Sequence, residues 1–263
     1  MHTTQIINLL MASLCLVSAA PAPAAEIPRT SPMDKRTPEG SWWQKSEWHT
    51  SFIDFTRRRA DPQSVVGKCD MQSAKMPTAA GLPPPSAGLY LSHVAVGRGT
   101  QNYTCANSSA TPAAIGALAT LYNVSCVAAD TPVLLDRLPV VALNLPTPSS
   151  SDSAANVDMS GHHYFIDLTT AYFNLKTDAH DYGGGAFKKV NSTAAPSDAA
   201  AGQEGSGDGA VAWLKLIAKD PKTQSMQEVY RVNTAGGNPP KTCEGQDKSF
   251  EVQYSAEYWI WSK

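Results

Sequence analysis

Leu91–Cys105 reads LSHVAVGRGTQNYTC. Two runs of strand-forming residues, Leu91 to Val96 and Thr100 to Cys105, flank a Gly97-Arg98-Gly99 break, which predicts a hairpin ending in a cysteine. His93, Arg98, Gln101 and Tyr103 gather polar chemistry there, so the other segments are expected to be strands packing around it. The clearest is Phe250–Ile260. Phe250, Val252, Tyr254, Ala256, Tyr258 and Ile260 fall on one side, and Glu251, Gln253, Ser255 and Glu257 on the other, the period of two of a strand.

Gly161–Leu175 carries two aromatic strand-like pieces and is followed by a Gly183-Gly184-Gly185 turn. Ala114–Val127 reads as a buried strand, and Ala210–Lys219 and Gln227–Asn233 as two more. Pro132–Pro148, interrupted by prolines, reads as an extended edge or packed loop, and Thr193–Gly209 as a mobile surface loop. About eight strands, with no βαβ rhythm, predict an all-β fold, an antiparallel sandwich or barrel. Upstream, Trp48, Phe52 and Phe55 recur at helical spacing in Ser41–Arg59, which predicts a short helix clamped on the sheet.

Charged residues make up 17% of the 263 residues and the net charge is -2. Such a chain has no electrostatic footprint for nucleic acid or for an anionic membrane. Ile6–Ala19 is an apolar run of signal-peptide length, with small residues that suit cleavage near Ala19 or Ala25. No later segment approaches about 18 apolar residues, so no membrane span is expected. The expected organisation is a signal peptide over 1–25, a leader and helix over 26–60, and a single extracellular β-rich domain over 61–263. Lys35-Arg36 is a dibasic site for secretory processing.

The cysteines agree with a secreted product. Cys15 leaves with the signal peptide, and Cys69, Cys105, Cys126 and Cys243 remain, an even number open to three pairings. None sits at C-x-x-C spacing, so zinc or thioredoxin-type chemistry is not indicated. Glycosylation sequons begin at Asn102, Asn107, Asn123 and Asn191. Asn107 and Asn191, in polar loops, are the favoured acceptors, whereas Asn102 and Asn123 adjoin cysteines on presumed strands.

SHVAVGRGTQNYTC, GALATLYN, GHHYF, AVAWLKL, VYRVNTAGGNPPKTC and VQYSAEYWIW follow one another in this order between Gly81 and Trp261. Together they resemble a family of secreted fungal and bacterial proteins known only as a domain of unknown function, whose members often carry an automatic "malate dehydrogenase" label. The resemblance implies a β-rich extracellular domain without an established reaction. It also implies a Cys105–Cys243 bond, which leaves Cys69 to pair with Cys126. Where the family commonly has Gly-Val-Gly-Val-Gln, this chain has Gly97-Arg98-Gly99-Thr100-Gln101.

The dehydrogenase label does not fit the residues. A dinucleotide site needs G-x-G-x-x-G between a strand and a helix, yet Gly97-Arg98-Gly99 runs on to Asn102 and into a strand-like segment. No cofactor is implied. His162, His163, Asp167, Asp178, His180 and Asp181 hold metal-ligating chemistry, but His162 and His163 point to opposite faces of any strand. Glu251 and Glu257 share a face at about 20 Å, too far to act as a hydrolytic pair. No G-x-S-x-G elbow is present.

Two functions of different classes remain. The first is a non-catalytic extracellular or cell-wall module that binds polysaccharide through exposed Trp and Tyr, or binds another extracellular protein. Six tryptophans motivate it. The alternative is a secreted hydrolase-like enzyme with His93 as base, Arg98 and Gln101 as polarising groups, and His162 or His163 opposite.

Overall fold

Backbone hydrogen bonding carries Tyr90–Thr104 straight through its glycines as one 15-residue strand, β1, so the expected hairpin does not form. Gly97 and Gly99 serve close approach instead of a turn. A Cβ on Gly97 would lie 2.5 Å from the Tyr258 ring, and one on Gly99 would overlap the Leu118 carbonyl of the neighbouring strand. Missing side chains at these positions let the sheet coil tightly.

The computed structural model describes residues 69–147 and 158–263. The expected signal peptide, the Lys35-Arg36 site, and the Ser41–Arg59 helix with Trp42, Trp43 and Trp48 lie outside these residues. The seven further strands are β2 (Ala113–Asn123), β3 (Met159–Asp167), β4 (Thr170–Lys176), β5 (Asp181–Thr193), β6 (Trp213–Ala218), β7 (Met226–Gly236) and β8 (Ser249–Ser262). Each pairs antiparallel with the next, and β8 pairs back onto β1, closing an eight-stranded barrel. The barrel resolves the sandwich-or-barrel alternative.

Period-two alternation sorts the side chains. Ala95, Leu121, Phe173, Leu175, Phe187, Val229, Tyr254, Tyr258 and Ile260 form the barrel interior. Val94, Val96, Tyr230, Val232 and Trp259 form a second core outside the barrel wall. Three short helices cover that wall: α1 (Ser125–Asp130), α2 (Pro132–Leu135) and α3 (Leu138–Asn144). Ala128, Leu135, Leu138 and Ala142 are their contributions to the core. The prolines that suggested an extended segment, Pro132 and Pro139, sit in the first turns of α2 and α3, where a missing N–H has no intrahelical partner to lose. The strand expected over Ala114–Val127 likewise ends at Asn123 and gives way to α1.

Two further expectations are corrected. Gly183-Gly184-Gly185 lies within β5. Thr193–Gly209 is tied down: Ala195 packs on the second core, the Gly236 amide donates to the Ala200 carbonyl, and Gln203 Nε2 donates to the Leu143 carbonyl.

Two disulfides brace the fold. Cys105–Cys243 joins the end of β1 to the β7–β8 connection with 5.8 Å between Cα atoms, and Cys69–Cys126 pins the N-terminal segment to α1 at 5.3 Å. Both pairings agree with the family resemblance. Closing loops spanning 57 and 138 residues restricts the unfolded chain by about 4 and about 5 kcal/mol in the chain-entropy account.

Candidate functional site

The outward face of β8 sets the fate of two tryptophans. Trp259 is completely buried in the second core and its indole N–H donates to Glu257 Oε2 at 2.8 Å. Trp261, two residues on along the same face, is half-buried and lies opposite Leu91 of β1. Trp213 is buried. Among the described tryptophans, only Trp261 can offer ring surface to a ligand.

Trp261 stands beside Tyr90, which is 58% exposed. With Leu91, Asp70, Met71, Gln72 and Ala74 they line a cleft of about 580 Å³. The Asp70–Ala74 wall is shaped by its own chemistry: Asp70 Oδ1 accepts the Gln72 amide at 2.9 Å, and Ser73 Oγ donates to the Asp70 and Ala129 carbonyls. The neighbouring Cys69–Cys126 bond fixes the base of that wall. Aromatic faces on one side and amide and carboxylate groups on the other suit a polyhydroxylated ligand, whose C–H faces stack on rings while its hydroxyls find donors and acceptors.

The five residues of the proposed hydrolytic site are dispersed. His93 is 2% exposed. It shares a 2.7 Å hydrogen bond with Ser160 and a 3.3 Å one with Ser125, and its ring stacks on Tyr182 at 4.3 Å. Burial, with His180 nearby, lowers its pKa to about 4. Arg98 faces the opposite side of β1, where it braces α3: Nη2 donates to the Leu145 carbonyl, and Nη1 donates to Gln253 Oε1 at 2.5 Å. Burial lowers its pKa to about 10.

Gln101 points into the barrel, 3.5 Å from Arg231 Nη1. His163 is also interior, donating from Nδ1 to the Tyr172 carbonyl at 3.1 Å and stacking on Phe173 at 4.4 Å. Burial lowers its pKa to about 4, with the carbonyl contact opposing. His162 is exposed outside, 3.5 Å from Thr120 Oγ1. The opposite facing of His162 and His163 follows the strand period.

Among the described residues, no group of three His, Cys, Asp or Glu side chains could hold a metal ion. Asp181 is engaged by Lys176 at 2.9 Å, and Asp167 by Thr169 and Thr170. The four sequons separate by geometry. Asn107 is exposed, with Oδ1 accepting from Ser109, and Asn191 is half-buried at the β5–β6 bulge. Asn123 is committed within the fold, donating from Nδ2 to the Tyr182 hydroxyl and accepting the Ser125 amide. Asn102 is half-buried and accepts from Thr100.

Sequence reasoning missed Tyr90, Asp70 and Gln72, since a cleft assembled from the β1 start, the β8 end and a disulfide-anchored turn has no local signature. It also missed the buried Lys215, Glu228 and Arg231, and the burial of Glu257. On the outer wall, Lys215 Nζ lies 3.1 Å from Glu228 Oε2 and donates to the Pro84 carbonyl. Ser86 Oγ donates to Glu228 at 2.5 Å and the Tyr230 hydroxyl donates to the Pro83 carbonyl, strapping Pro83–Ser86 to the barrel. Burial pushes the Glu257 carboxyl up to about 7 against hydrogen bonds from Asn233 and Trp259. Arg231 lies inside the barrel.

A closed, meandering barrel with a helix-covered outer wall, two disulfides and an aromatic cleft thus describes a disulfide-bonded β domain. The chain belongs to the family described as Protein of unknown function (DUF3455), which matches residues 85–262. No curated protein and no solved structure matches it. No helix among the described residues is long and apolar enough to cross a membrane.

Proposed function

We propose that this chain is a secreted, extracellular or cell-wall-associated module that binds a polysaccharide chain in the Trp261–Tyr90 cleft. The observation that carries the reading is the half-buried Trp261 beside exposed Tyr90, facing Asp70 and Gln72 across about 580 Å³. The barrel interior is filled by side chains from its own wall, so the outer cleft is the better seat for a ligand of this kind. The apolar run over Ile6–Ala19 and the two disulfides support passage through an oxidising secretory route.

The test is a pull-down of the purified protein on insoluble chitin, β-glucan and cellulose, with released soluble sugar measured in the same tubes. Binding without release, weakened on Tyr90→Ala and on Trp261→Ala, is the expected result. Stacking of one sugar on one ring is worth about 0.5–1.5 kcal/mol beyond its area, so Tyr90→Ala should weaken binding roughly tenfold. Binding indifferent to both changes overturns the cleft, and sugar release overturns the non-catalytic reading.

A further inference from the structure

The cleft beside Trp261 and Tyr90 is lined by one carboxylate, Asp70, and, among the described residues, by no basic side chain. The ion pairs among the described residues are Lys176–Asp181 and Lys215–Glu228, so none of them engages Asp70. Glu228 stands opposite Trp261 in the β7–β8 register, but Lys215 at 3.1 Å balances it. The charge this cleft presents to a ligand is therefore the carboxylate of Asp70.

That carboxylate is held before any ligand arrives. Its Oδ1 accepts the Gln72 amide at 2.9 Å, and the Asp70 carbonyl accepts from the Ser73 amide and hydroxyl, closing a tight turn. Cys69, one residue earlier, is bonded to Cys126, and Ser73 Oγ also donates to the Ala129 carbonyl of α1. Tethered on both sides, Asp70 has little freedom to lose on binding. The groups it faces are rings: Tyr90 is exposed and Trp261 half-buried. Ring faces carry negative potential, so they attract ammonium groups and repel anions. A fixed carboxylate facing Tyr and Trp, with no base beside it, suits a cation that carries N–H donors.

A neutral glycan would use the rings and leave the carboxylate unmatched, and an acidic one would set a second anion against it. We propose, resting on the polysaccharide reading of this cleft, that its preferred ligand is an amino-sugar polymer with free amines, a deacetylated hexosamine chain. The sugar ammonium pairs with Asp70 while the C–H face of a ring stacks on Tyr90 or Trp261. An N-acetyl group removes the positive charge, so the acetylated chain is the weaker ligand.

Calorimetric titration of the whole chain tests this, with equal-length oligomers of glucosamine, N-acetylglucosamine, glucose and galacturonate in buffer acidic enough to protonate the amine. The glucosamine oligomer should bind roughly tenfold more tightly than the neutral ones. That advantage should shrink with added salt, and the galacturonate oligomer should bind least. Asp70→Asn keeps the oxygen that accepts the Gln72 amide but removes the charge, and should erase the preference. Should that variant fail to fold, the salt titration of the unaltered protein decides. Equal affinity for glucosamine and neutral oligomers, a preference indifferent to salt, or one that persists in Asp70→Asn overturns the amine assignment and leaves the cleft reading intact. Absence of binding by every oligomer overturns the cleft reading, and this inference with it.

Discussion

Acidification should destabilise this barrel through its buried histidines, and Glu257 should oppose the effect. His93 and His163 have pKa values near 4 in the fold against 6.5 for a free imidazole. Above 6.5 both are neutral whether folded or not, and their contribution is fully present. Between 6.5 and 4 the unfolded chain takes up protons that the folded chain refuses, so stability is lost as the pH falls, about 3 kcal/mol for each ring. Glu257 runs the other way. Its carboxyl is held near 7 against 4.5, so its contribution is full below 4.5 and disappears as the pH rises through 7, again about 3 kcal/mol. Two histidines against one glutamate leave a net loss of about 3 kcal/mol between pH 7 and pH 4, a large share of the roughly 5–15 kcal/mol typical of a domain.

Urea midpoints measured at intervals from pH 8 to pH 4 give the profile. His163→Phe, which keeps an aromatic ring against Phe173, should flatten it, since the remaining histidine and the glutamate cancel. Glu257→Gln should roughly double the acid loss. A wild-type profile that stays flat or rises on acidification refutes the reasoning, as does an unchanged slope in His163→Phe.

The other predictions concern the outer wall and the strand glycines. Glu228→Gln leaves Lys215 buried without its counter-ion and should cost about 3–5 kcal/mol by urea titration. The double change Lys215→Met with Glu228→Leu should recover much of that loss; if the single change is silent, the ion pair does not hold the Pro83–Ser86 strap. Gly99→Ala would force a methyl group onto the Leu118 carbonyl and should abolish soluble folded protein, as judged by circular dichroism and yield. A normally folded Gly99→Ala protein would show that β1 has room to shift.

The all-β class was legible because Phe250–Ile260 alternates along its length, Gly161–Leu175 is rich in aromatic strand formers, and both are local properties. Opposite facing of His162 and His163 followed for the same reason. The glycines of β1 and β5 misled, because glycine marks a turn and a close backbone approach alike, and only the neighbouring strand distinguishes them. Helices α2 and α3 were hidden because a proline reads as a breaker until it is seen to occupy a first turn. As for the candidate site, Trp261 was visible as a residue type and Tyr90 was not. Exposure depends on where the helical cover ends, which no spacing within β8 records.

The seam between β1 and β8 has a consequence for biogenesis. Val94 of the first strand finds its partner in Trp259 of the last, so a ribosome must complete nearly the whole domain before the sheet can close. Until then the growing meander carries two open edges, which invite pairing with other chains. The Cys105–Cys243 bond joins the same early and late regions, so its oxidation also belongs to the last stage. Folding is thereby made a post-translational event, and the rate of seam closure, set by long-range pairing, governs how long each new molecule is exposed to aggregation.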